Sequence, residues 1–171
     1  MTRGADRMEL EYDGDSMSNA KQIITGLDGF RALVGKTIGP SQPVEVTQER
    51  IESFCHAVDN DEWIHFDVER CKEAGFGTTI APGMLTQAFF SKLWFDIVDI
   101  REVPRMLFLG SDKVRLLAPL KCGQSFTMSA TVQRVEEKEN GIAVYLDVTW
   151  NVVGEEKPVT VATFIIRYME K

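Results

Sequence analysis

Between positions 106 and 168 the chain alternates apolar and polar residues with period two in four runs, 106–117, 125–137, 142–153 and 158–168. Period two is the repeat of a strand with one face buried. The third run shows it most clearly: Ile142, Val144, Leu146, Val148, Trp150 and Val152 share one face, and Tyr145, Asp147, Thr149 and Asn151 share the other. Between the runs lie Pro119-Leu120-Lys121-Cys122-Gly123, Lys138-Glu139-Asn140-Gly141 and Gly154-Glu155-Glu156-Lys157, all turn-forming sequences. The pattern predicts a curved antiparallel meander.

Upstream the repeat changes to that of helices. Residues 84–98 are apolar on nearly every side, so the helix predicted there has to be enclosed by protein, and Pro82 and Gly83 stand at its start. Ile51, Phe54, Cys55 and Val58 form one face of a helix predicted over 48–58, with Thr47 at its N-cap. A short strand is predicted over 43–47 and a short helix over 68–74, stopped by Gly75 and Gly77. Ile23, Ile24, Leu27, Phe30, Leu33 and Val34 recur with helical spacing and predict an amphipathic lead-in. Helices followed by antiparallel strands give an α+β class, with one long helix across the concave side of the sheet. Residues 1–19, polar and acidic, are expected to be a disordered extension, and 20–171 a single domain.

The chain has 171 residues and a formal charge of −7, with a core large enough to need no staple. That charge argues against binding nucleic acid or an anionic membrane surface. The longest apolar run carries Gln87, Lys92 and Asp96 and is too short to span a bilayer. Cys55, Cys71 and Cys122 are odd in number and widely spaced, which fits a reducing compartment and buried or idle thiols. With no signal-like apolar core near Met1, the expected location is cytoplasmic.

Candidate chemistry gathers in Asp59-Asn60-Asp61-Glu62-Trp63-Ile64-His65-Phe66-Asp67 and in Thr79-Ile80-Ala81-Pro82-Gly83. An imidazole is the side chain that ordinarily changes charge near neutrality, which suits His65 to proton transfer. The first N–H groups of the buried helix, at Gly83 and Met84, are donors at the positive end of a dipole and can polarise a carbonyl. Together they point to activation of water beside a polarised carbonyl. Cys55 and His56 are neighbours on a helix and diverge, so they make no nucleophile–base pair. His56, Asp59, Asp61 and His65 lack metal-ligand spacing, and neither a metal nor another cofactor is expected. Phe89, Phe90, Trp94 and Phe95 are core residues first and candidates for lining an acyl tunnel second.

These residues resemble the MaoC-like dehydratases and (R)-specific enoyl-CoA hydratases, especially the nodulation-protein-N-like branch. The resemblance rests on 58–67 with Glu69-Arg70, on Gly75-Phe76-Gly77-Thr78-Thr79-Ile80-Ala81-Pro82-Gly83-Met84-Leu85-Thr86, and on Lys113-Val114-Arg115-Leu116-Leu117-Ala118-Pro119 before Gly123. It implies a hot-dog fold, a homodimer with pockets between subunits, and a thioester substrate carried on coenzyme A or an acyl carrier protein. It also implies hydration of a 2-enoyl thioester, or dehydration of its (R)-3-hydroxyacyl counterpart, with His65 as acid or base. Counting back from His65, the family's catalytic aspartate falls on Asn60, its glycine on Asp59 and its Ser or Thr on Val58; its usual helix-start histidine is Pro82.

An amide holds a water but is no proton acceptor. Three readings therefore stay open: His65 acts with Asn60 positioning the water, Asp59 or Asp61 substitutes as base, or the pocket has turned to other thioester chemistry such as hydrolysis, or to binding alone. Lys72, Lys92, Lys113, Arg115 and Lys121 are the basic candidates for the carrier phosphates.

Overall fold

The structure is a computed structural model that describes residues 20–170. The expected N-terminal extension lies outside the described residues. Along the chain run β1 (Gln22–Thr25), α1 (Gly26–Arg31), β2 (Thr37–Ile38), β3 (Val44–Glu45), α2 (Gln48–Ala57), a 3-10 turn (Trp63–His65), α3 (Val68–Glu73), α4 (Gly83–Ala88), α5 (Phe90–Ile97), β4 (Val98–Arg101), β5 (Arg105–Leu116), β6 (Ser125–Lys138), β7 (Gly141–Val152) and β8 (Pro158–Met169).

The main sheet is antiparallel, in the order β2-β6-β7-β8-β5, with β3 also paired to β6. The four long strands predicted from the alternation are all present. The simple meander is corrected, because β5 pairs with β8 and not with its sequence neighbour β6. The chain therefore has to cross from one side of the sheet to the other between β5 and β6. That crossing brings residues 117–120 onto the wall of the candidate site.

The hot-dog arrangement of a sheet around a central helix is present. Helices α4 and α5 form one path across the sheet with a tighter turn at Phe89, whose N–H is shared between the carbonyls of Leu85 (3.3 Å) and Thr86 (3.2 Å). Phe90 packs edge-on against Phe164 of β8, Phe89 against Phe126 of β6, and the Trp94 indole donates to the Tyr168 hydroxyl of β8. Leu85, Leu93, Trp94, Phe126, Leu146 and Trp150 are fully buried in this layer. Burying each such side chain contributes about 1.5–3 kcal/mol.

Two predicted elements change. The amphipathic lead-in is a strand followed by a short helix: β1 pairs in parallel with β4, and Gly26, at φ +60°, turns the chain out of β1 into α1. Helical spacing could not reveal β1, because its partner β4 lies more than seventy positions away and begins at Val98, the last residue of the predicted long helix. Helix α2 ends at Ala57, so Val58 is a half-exposed cap and not part of the buried face. The Thr47 N-cap is as predicted, accepting from the Arg50 N–H at 3.2 Å. Among the described residues no helix is long and apolar enough to cross a membrane.

Candidate active site

His65 ends the 3-10 turn that follows α2, and the local sequence explains why the turn forms. The Asn60 N–H donates to the Cys55 carbonyl at 2.9 Å, Asp59 takes a left-handed φ of +53°, and the Asn60 side-chain oxygen accepts from the Glu62 N–H at 3.1 Å. An asparagine side chain closing on the backbone two residues later is a characteristic turn former. The chain then reverses into Trp63–His65, and Asp67 caps α3 by accepting from the Arg70 N–H at 3.0 Å.

The second wall comes from 79–83. Ile80 donates its N–H to the Ile64 carbonyl at 3.2 Å, and Ala81 donates to the Leu120 carbonyl at 2.8 Å. Cys122 donates back to the Thr79 carbonyl at 2.9 Å. The start of α4 is thereby fixed to the His65 turn on one side and to the β5–β6 crossing on the other. A cavity of about 310 Å³ lies between them, at the low end of the range for small-molecule sites. Its walls include His65, Ile80, Pro82, Gly83, Leu116 and Pro119, with the Thr86 and Thr160 hydroxyls, 3.2 Å apart, both buried.

The imidazole of His65 is nearly enclosed, with 8 % of its surface exposed, and its Nδ1 lies 2.7 Å from the Ile80 carbonyl oxygen. A carbonyl only accepts, so Nδ1 carries the proton in the neutral ring and Nε2 keeps its lone pair. The cavity thus holds an imidazole in the tautomer suited to take a proton at Nε2. Gly83 also lines the cavity. The first N–H groups of a helix have no intrahelical acceptor, and Pro82 has no N–H, so Gly83 and Met84 supply the donors at this end of α4.

The sequence-predicted residues are therefore only partly brought together. His65 and Gly83 share the cavity wall, whereas the Met84 side chain is largely exposed. Asn60 is half-buried outside that wall, and Asp59 and Asp61 are exposed on the loop. Of the basic candidates, Lys72 pairs with Glu69 at 2.7 Å and Lys92 with Asp96 at 2.5 Å, while Lys113 and Arg115 stand on β5 just before the cavity-lining Leu116. A larger open groove of about 1090 Å³, lined by residues including Lys21, Arg50, Lys92 and Asp96, does not include His65.

Sequence reasoning missed Thr86, Thr160, Gln48 and Thr79. Thr79 and Thr86 lay within the quoted motif, but a threonine carries little signal until its partner is known. Gln48 opens α2 directly after the Thr47 N-cap, and no local signal marks its amide as part of a site. Burial raises the thiol pKa of both Cys55 and Cys71 above the ordinary value, as expected for idle thiols.

A model of the MaoC-like domain matches residues 30–153. The chain is 34% identical over 139 residues to 3-hydroxyacyl-thioester dehydratase Z of Mycobacterium tuberculosis, covering 81% of this chain and 92% of the relative. It is 30% identical over 135 residues to nodulation protein N of Rhizobium leguminosarum bv. viciae, covering 77% and 84%. Among solved structures it is similar to an unliganded R-hydratase from Pseudomonas aeruginosa, with a TM-score of 0.63 at 20% identity over 81% of this chain and 83% of that one, a likeness of fold.

Proposed function

We propose, from the premise that this chain belongs to the MaoC-like domain family, that it is an acyl-thioester hydratase or dehydratase in which His65 is the acid–base group. The observation that carries this reading is the His65 Nδ1–Ile80 carbonyl bond on a ring that lines the cavity at the start of α4. With Nδ1 held as donor, Nε2 takes a proton from water as the water adds to C3 of a 2-enoyl thioester, and the imidazolium then delivers that proton to C2 of the enolate. In the reverse direction neutral Nε2 takes the C2 proton of the (R)-3-hydroxyacyl thioester and releases it to the departing hydroxyl. A positioned acid–base group of this kind contributes about 10²- to 10⁴-fold. Negative charge that develops on the thioester oxygen is met by the N–H groups of Gly83 and Met84.

The acyl chain follows the apolar wall of Ala81, Leu116, Leu117 and Leu120. Lys113 and Arg115 lie on the strand that leads to this wall, which supports them as the basic groups that meet the phosphates of coenzyme A or an acyl carrier protein. A homodimer completes the site. Strand β5 is the edge of the sheet and exposes Leu107, Phe108 and Leu109, and its end, with Leu116 and Leu117, forms part of the cavity. A second copy against this edge covers apolar surface that an unpaired strand leaves open to aggregation.

A second reading is favoured by one specific observation, the Asn60 oxygen spent on the Glu62 N–H. In that reading the pocket binds the thioester and either hydrolyses it or performs no chemistry. Incubating the protein with crotonyl-CoA while following both loss of enoyl absorbance and release of free thiol separates the two. Hydration that falls at least tenfold in His65→Ala supports the first reading. Thiol release without loss of the double bond, or turnover unchanged in His65→Ala, overturns it.

A further inference from the structure

Gln48, the first residue of α2, lies where the two walls of the His65 site meet. The Thr79 hydroxyl is 2.6 Å from Gln48 Oε1, and Gln48 Nε2 is 2.9 Å from the His65 carbonyl and 3.0 Å from a Glu52 carboxylate oxygen. The direction of each bond is fixed by its end group. The His65 carbonyl only accepts, so the amide has to present its nitrogen there; its oxygen then faces Thr79, whose hydroxyl has to donate. Thr79 is fully buried, and an amide oxygen left without that donor would be costly.

This relay runs beside two other bonds between the same stretches of chain. Ile80 donates to the Ile64 carbonyl, and His65 Nδ1 donates to the Ile80 carbonyl. The backbone bond holds residue 64 against residue 80, and the Gln48 relay holds residue 65 against residue 79. The imidazole bond spans both stretches, so its length depends on the other two. Resting on the function proposed above, we infer that Gln48 and Thr79 are positioning residues for His65: Thr79 orients the Gln48 amide, and Gln48 holds the His65 backbone so that the ring keeps its proton on Nδ1 and its lone pair on Nε2. Neither residue lines the cavity, so both act through the histidine and not on the substrate.

The test combines a spectroscopic readout with a kinetic one. The chain has two histidines, His56 and His65, so ring ¹⁵N resonances of histidine-labelled protein are assigned with His56→Asn. Recorded at a pH where the rings are neutral, the wild type shows His65 protonated at Nδ1. Thr79→Val removes the hydroxyl at nearly constant volume, and Gln48→Met removes the amide. Both shift His65 toward a mixture with the Nε2-protonated tautomer, and both lower kcat between roughly ten- and a hundredfold with little change in KM.

Thr79→Ser keeps the hydroxyl and keeps the wild-type tautomer and kcat. If Thr79→Val does not fold, Gln48→Met, at a half-buried position, carries the test. Folded variants, judged by unchanged far-ultraviolet circular dichroism, that retain the wild-type His65 resonances overturn the inference. A tautomer shift in Thr79→Val together with turnover indifferent to His65→Ala leaves the positioning role standing and removes the catalytic one.

Discussion

Gly83 and Leu116 are packed so closely that a Cβ built on Gly83 would lie 2.2 Å from Leu116 Cδ1. The glycine is required for space, at a point where the start of α4 meets the last residue of β5 on the wall of the cavity. Leu116 is more than half exposed, so its side chain has somewhere to go. Gly83→Ala is therefore expected to fold, with a stability loss below about 1.5 kcal/mol. The displaced Leu116 enters the substrate's space, and kcat/KM falls about tenfold or more. Gly83→Ala with Leu116→Ala restores room and recovers most of that loss, so steady-state kinetics on the four proteins of the cycle measure the coupling. Additive losses would place the effect of the glycine elsewhere.

Asn60→Asp replaces an amide that cannot take a proton with a carboxylate that can. One carboxylate oxygen keeps the bond from the Glu62 N–H, now charge-assisted, and the second becomes available to a water. The expected outcome is unchanged or slightly raised thermal stability and a gain of about 10²-fold or more in hydration of a 2-enoyl-CoA. The gain is read as the initial rate of enoyl absorbance loss. No gain would mean that the loop, which lies outside the cavity wall, stays outside it when substrate is bound.

The parts of this architecture that were legible in the sequence are those governed by local repeats. The period-two pattern located all four long strands, and Thr47 marked the start of α2 because its hydroxyl acts on an N–H only three residues away. Pairing over long distances was not legible. β5 beside β8 and β1 beside β4 bring together residues with no local signature of each other. The site divides in the same way. His65 and Gly83 stood out by residue type and spacing, whereas Gln48 and Thr79 acquire meaning only when α2, the 3-10 turn and the start of α4 converge.

The edge strand offers a test that does not depend on catalysis. Leu107 and Leu109 are each more than half exposed on β5, whose paired side faces β8. A lysine in place of Leu109 puts a charge where the second copy is proposed to pack. Leu109→Lys is expected to sediment as a monomer at micromolar concentration where the wild type sediments as a dimer, with its far-ultraviolet circular dichroism intact. If the cavity is completed across that edge, the monomer also loses most of its turnover. A wild-type protein that sediments as a monomer would remove the dimer proposal.

The core of the hot-dog layer rests partly on a polar contact, the 3.0 Å bond from the Trp94 indole to the Tyr168 hydroxyl, with both residues almost completely buried. Tyr168→Phe deletes only the hydroxyl, and the ring keeps its stacking against Phe30 at 4.1 Å between centroids. The indole N–H is then buried without an acceptor, which costs about 1–3 kcal/mol and is measurable by urea denaturation. The same pair carries a pH signature. Burial raises the Tyr168 phenol above its ordinary pKa of 10, against a smaller opposing effect of the Trp94 bond. Above pH 10 the unfolded chain has therefore lost a proton that the folded chain keeps, and stability falls as pH rises. The contribution is fully present below pH 10, so the wild type should lose stability more steeply than Tyr168→Phe between pH 10 and 11.5. Parallel curves would mean that the phenol ionises as easily in the folded protein as in the unfolded one, and that burial of Tyr168 does not hold its proton.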